Sequence, residues 1–217
     1  MSMNGCEKCE LSQLGNKDRV CIQRPSKEIR GCLISRDPTS EFLKDYKQPP
    51  TDNKGILWFN APPKWLFTKI EKKVICSGED FPNKAKLSEL RNFLDYECYW
   101  THLHKCPTKP QKKLDRYQQG INRVEENYPP FRFSTAKHCA NIWFKSEFDN
   151  YKLNDKIIIT LGRDVEIFFN LWSNSCGLDS KRIINFPHPS GRCRSWNQNS
   201  DQKERITDEI NRLLNLI

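Results

Sequence analysis

Residues 156–172 read KIIITLGRDVEIFFNLW. The apolar run Lys156–Leu161 stops at Gly162-Arg163, as a buried strand running into a loop would. Asp164–Trp172 then takes up a helical period. A further apolar run, Arg182–Phe186 (RIINF), follows and ends at Pro187-His188-Pro189. Strand, helix and strand in that order argue for an α/β fold built on a mostly parallel sheet.

The same pattern extends towards the N-terminus. Arg30–Arg36 (RGCLISR) ends at Asp37-Pro38, and Glu97–Leu103 (ECYWTHL) ends just before His104-Lys105-Cys106-Pro107. Helix-period segments lie at Pro63–Lys72, Lys86–Leu94, Ser134–Tyr151 and Ser200–Leu216. These runs predict a three-layer αβα sandwich with a central, mostly parallel four-stranded sheet, formed by residues 1–217 as a single domain. In such sheets ligands bind outside the carboxyl ends of the strands, so the four polar loops should converge on one edge. Residues 107–133 are the least regular part and read as an insertion, partly helical around Leu114–Asn127.

Composition narrows the partners. The chain is 36% hydrophobic and 29% charged, with 11% aromatic residues to supply buried area, which is polar but not disorder-like. A formal net charge of +9 favours a polyanion, nucleic acid first, although a solvated basic surface would look the same. Apolar runs long enough to span a membrane are missing, and MSMNGCEKCE lacks the apolar core of a secretory signal. The expectation is an intracellular, cytoplasmic protein that does not engage membranes. In a reducing compartment ten cysteines point to metal or cluster ligation at motif spacings rather than to disulfides.

Four cysteines stand in suggestive contexts: Cys6 and Cys9 in CEKC, Cys106 in HKCP, and Cys139 in KHCANIW. Four thiolates suit zinc or an iron–sulfur cluster, and spacing does not choose between them. Cys21, Cys32, Cys76, Cys98, Cys176 and Cys193 read as small buried apolar residues. Asp37 can orient water or stabilise a developing cation, while an Asp-Pro pair also simply makes a turn. Trp58-Phe59 offers a ring for a base to stack on, or core. His188 can donate a hydrogen bond to an anionic leaving group, and Arg192 and Arg194 can contact phosphates.

Taken in order, strand–DP, WFNAPP, YWTHLHKCP, a helix carrying Cys139, IIITLG and PHPSGR resemble the uracil-DNA glycosylase superfamily over nearly the whole chain. CEKC, THLHKCP, CANIWF, IIITLG and HPS are similar to the motifs of the cluster-containing family 4, found in archaea and thermophilic bacteria, which implies a prokaryotic or archaeal origin. Ser35-Arg36-Asp37-Pro38-Thr39 is closer to the first loop of the cluster-free family 1. The resemblance implies a monofunctional DNA glycosylase of base-excision repair, acting as a monomer on DNA that contains uracil or a related deaminated base. It implies Asp37 as the water-activating carboxylate, His188 as the group stabilising the departing base, and Phe59 as the ring stacked on that base. Pro38 and His102 would border the base, His102 standing where the family has a base-reading asparagine. Ser190, Arg192 and Arg194 would meet the DNA backbone. Cys6, Cys9, Cys106 and Cys139 would ligate a [4Fe–4S] cluster.

Because a histidine lacks the planar donor–acceptor spacing of an amide, the base stays open between uracil, hypoxanthine and another deaminated base. An alternative is a non-catalytic member of the same fold that binds nucleic acid, or one that traps an abasic site covalently through His102 or His104. A third reading, from a different class, is a redox or zinc protein whose cysteines carry the chemistry.

Overall fold

The computed structural model describes residues 28–36, 62–76, 81, 83–104, 111–114, 124–127, 133–190, 193–196 and 201–217. Four strands form one sheet: β1 (Gly31–Ser35), β2 (Cys98–His102), β5 (Ile157–Leu161) and β6 (Ile183–Phe186). Their order is β2-β1-β5-β6, and every pairing is parallel. Each expected strand is present, trimmed by a residue or two at its ends. A separate antiparallel pair is made by β3 (Gln111–Leu114) and β4 (Val124–Asn127).

Strand periodicity explains the layers. Successive residues of a strand face opposite ways, and here both sets are apolar, as a sheet covered on two faces requires. Leu33, Trp100, Ile157, Ile159, Ile184 and Phe186 join one core cluster; Cys32, Ile34, Tyr99, Ile158 and Ile183 join the other. The first cluster is closed by α1 (Pro62–Cys76), α2 (Leu87–Asn92) and α6 (Lys203–Leu216), through Leu66, Ile70, Leu90, Ile206 and Ile210 among others. The second is closed by α3 (Phe133–Cys139), α4 (Lys145–Asn150) and α5 (Arg163–Cys176). The result is helix, sheet and helix in three layers.

The second layer is aromatic. A π-helical turn, Ala140–Phe144, joins α3 to α4 and turns Phe144 inward. Phe144 lies 4.9 Å from Phe148 and 5.2 Å from Trp172, and Phe169 lies 5.6 Å from Trp172, ring centre to ring centre. Tilted and edge-on contacts of this kind are the favoured aromatic geometries, and they bind α4 to α5.

Connectivity follows from the same faces. From β1 the chain crosses over α1 and α2 to reach β2 on one side. From β2 it crosses the opposite face by α3 and α4 to β5, and from there by α5 to β6. Leftward over one face and rightward over the other share one hand, as parallel crossovers should. The strand order therefore reverses between β1 and β5.

The sheet is tied at its amino end and along the β6 edge. At the amino end, Arg30 pairs with Glu97 at 2.8 Å, Asn92 donates to the same carboxylate at 2.7 Å, and Arg30 also reaches the Ile217 carbonyl. Along the outer side of β6, Arg212 donates to the carbonyls of Lys181 and Ile183 at 3.3 and 3.2 Å. Its partner Glu209, 2.7 Å away, accepts from the Asn185 backbone N–H. One ion pair on α6 thus satisfies backbone groups that an edge strand otherwise presents to other chains.

Two expectations need correction. The helix around Leu114–Asn127 is absent where the structure is described, because β3 and β4 pair there, with Lys112 opposite Glu126 and Lys113 opposite Glu125. Facing residue types of opposite charge favour such a ladder, and Gly120 between them costs a helix about 1 kcal/mol. The cysteines also divide: Cys32 and Cys98 are buried as expected, but Cys76 and Cys176, each closing a helix, are exposed. Among the described residues no helix is long and apolar enough to cross a membrane.

Candidate active site at the carboxyl edge of the sheet

All four strands deliver their carboxyl ends to one edge, and the strand order reverses between β1 and β5, the position at which open α/β sheets bind ligands. The ladders run slightly beyond the strands. Leu103 N–H donates to the Ser35 carbonyl at 2.8 Å and His104 N–H to the Arg36 carbonyl at 2.9 Å, so Arg36, the residue before Asp37, is held in register with β2. On the other side, Gly162 N–H donates to the Phe186 carbonyl at 2.8 Å.

His188 follows β6 by two residues and is half-buried. The Ser190 backbone N–H donates to its Nδ1 at 3.3 Å. In the neutral ring this puts the proton on Nε2, which is then the donor of the imidazole. The Trp65 ring of α1 stands edge-on to it, centroids 6.4 Å apart. Gly162 lies close by with φ +96°, and a Cβ there would lie 3.8 Å from His188 Cβ. That backbone conformation is open to glycine and strained for other residues.

At the other side of the sheet, His102 ends β2 and is 3% exposed, its ring packed 4.8 Å from that of Trp100. Trp100 Nε1 donates to Ser35 Oγ at 3.0 Å, and that hydroxyl donates to the Thr101 carbonyl at 3.4 Å, which locks the ends of β1 and β2 together. Thr101 Oγ1 donates to Glu147 on α4 at 2.9 Å. His104, also buried, has its Nε2 at 3.3 Å from Thr135 Oγ1 on α3.

Several residues expected from the sequence are thereby brought to one edge: His102, His188 and Ser190, with Arg194 exposed in the short turn Arg194–Trp196. Arg36 and Arg163 add positive charge there. Asp37, Pro38, Phe59, Arg192, Cys6, Cys9 and Cys106 lie outside the described residues. Of the proposed cluster ligands, Cys139 closes α3 and is buried. Thr135, one helical turn before it and on the same helix face, contacts His104, two residues before Cys106. Among the described residues alone no group of three or more metal-ligating side chains occurs.

Three residues of the site had no local signal. Trp65, Thr135 and Trp196 act through contacts with residues 123, 31 and eight positions away. Sequence directs attention instead to Trp58-Phe59, a few residues before Trp65.

No family model matches the chain, and no curated protein is significantly similar to it.

Proposed function

We propose that this chain is a DNA glycosylase of base-excision repair, hydrolysing the N-glycosidic bond of a flipped-out uracil or related deaminated base. The observation that carries the proposal is His188: half-buried just beyond the carboxyl end of β6, with Nδ1 accepting from Ser190 N–H, an arrangement that assigns the proton of a neutral ring to Nε2. A fixed neutral donor is what a departing base anion requires, because a preorganised hydrogen bond in a water-poor crevice acts where charge develops. The motif order along the chain and the net charge of +9 support the same reading.

The target nucleotide leaves the stack at a cost of a few kcal/mol, least for a mispaired base. Phe59 stacks on it, which contributes about 1–3 kcal/mol, and Pro38 and His102 border its edge. As the bond from C1′ to the base breaks, the electron pair departs with the base and positive charge grows on the sugar. Nε2–H of His188 stabilises the anion. Asp37 orients a water whose oxygen bonds to C1′ and takes up its proton. Ser190, Arg192 and Arg194 meet the DNA backbone and set its position without reading sequence. A [4Fe–4S] cluster on Cys6, Cys9, Cys106 and Cys139 would supply a cross-link between distant parts of the chain, with no role in the bond change. The protein acts as a monomer.

The test is base release from a uracil-containing oligonucleotide by the wild type and by Asp37→Asn and His188→Ala proteins with unchanged unfolding midpoints. Loss of one preorganised donor predicts a fall of about 10²–10³ in rate for His188→Ala. Equal rates in wild type and His188→Ala would remove the histidine from the mechanism. Binding that weakens with salt but yields no product would favour a non-catalytic nucleic-acid-binding role instead.

A further inference from the structure

We propose that Trp196 is a positioning residue for His188, fixing the loop after β6 so that the imidazole keeps one orientation and one tautomer. The importance of this for catalysis rests on the glycosylase reading; the positioning itself does not. Trp196 Nε1 donates to two successive carbonyls, those of Pro187 at 3.3 Å and His188 at 3.2 Å. Its ring stacks on Phe186, the last residue of β6, with centroids 5.8 Å apart and planes at 28°. It is 8% exposed and belongs to the core cluster that includes Ile206 and Ile210 of α6.

Pro187 and Pro189 each fix their own φ near −65°, but proline leaves ψ free. Two consecutive carbonyls drawn to one N–H remove that freedom at residues 187 and 188, the two that decide where the imidazole is carried. Ser190 then closes the arrangement twice: its N–H reaches Nδ1 of His188, and its carbonyl accepts from Cys193 N–H at 3.1 Å. The indole is anchored in packed core rather than in the loop, so the sheet and α6 hold the histidine in place.

Trp196→Phe keeps an aromatic ring to stack on Phe186 and removes the donor together with part of the buried ring. Two measurements on the full-length protein decide the matter. Nitrogen-15 NMR of the histidine rings reads the tautomer without any substrate: the wild type should show Nδ1 unprotonated and Nε2 protonated at His188, and Trp196→Phe a shift towards a mixture. Base release from uracil DNA should fall in Trp196→Phe, by up to about 10²-fold, the scale on which small misplacements act, with KM little changed. A folded Trp196→Phe protein whose His188 signals match the wild type overturns the proposal. Should the wild type release no base at all, the NMR comparison still decides the role of Trp196, and the failure then belongs to the glycosylase reading.

Discussion

His188 is held by contacts from elsewhere in the fold, those of Trp65 and Trp196 among them, and Gly31 illustrates the same dependence in the core. At Gly31 an added Cβ would fall against the Phe93 ring, 2.7 Å from Cε2, and lie 3.3 Å from the Ile157 carbonyl. Phe93 is 1% exposed and the carbonyl is backbone, so neither can yield cheaply. Gly31→Ala should therefore destabilise the protein by about 1–3 kcal/mol, the usual cost of overpacking, seen as a lower denaturant midpoint with unchanged slope. An unchanged midpoint would mean that Phe93 can swing aside. At this scale the sequence was readable where chemistry and chain position coincide. His188 sits in a distinctive loop right after an apolar run, whereas Trp65 and Trp196 look like ordinary core aromatics until the fold brings them to that loop.

Among the elements, the strands were the most legible. KIIITL and RIINF are short apolar runs bounded by loop residues, and their apolar character on both faces follows from burial between two helical layers. The pair β3–β4 was not legible, because QKKL and VEEN are short, mostly polar stretches without a strand's alternation and fit a polar helix equally well. The covering of β6 by α6 was hidden for another reason: it uses side chains as substitutes for a neighbouring strand. Burial pushes the Glu209 carboxyl above its ordinary 4.5, with the Arg212 guanidinium the largest opposing influence. The folded protein therefore holds that proton more tightly than the unfolded chain, and ionising Glu209 costs stability. The cost is absent well below pH 4.5 and complete once pH passes the folded-state value. Glu209→Gln keeps an acceptor for Asn185 N–H and carries no charge to desolvate. As pH rises from about 4.5 to 7, the wild-type unfolding midpoint should fall relative to that of Glu209→Gln. A difference between the two that stays constant with pH would show that Glu209 is not perturbed by folding.

For the whole molecule, three layers around a parallel sheet, with the strands' carboxyl ends at one edge, follow from a repeated strand–helix pattern, and that much is legible in the sequence. Which base the proposed glycosylase would accept is not, since under that reading it turns on His102, which is buried with its ring 4.8 Å from that of Trp100. A polyanionic partner is expected to bind with strong salt dependence, the logarithm of affinity falling by about 0.9 per contacted phosphate for each tenfold rise in salt. The decisive measurement is single-turnover base release from otherwise identical oligonucleotides carrying uracil, hypoxanthine or xanthine, with anaerobically purified protein. Release of at least one of these bases, abolished or greatly slowed in His188→Ala, is the predicted result; intact strands with all three, under conditions where the protein binds the DNA, would contradict it.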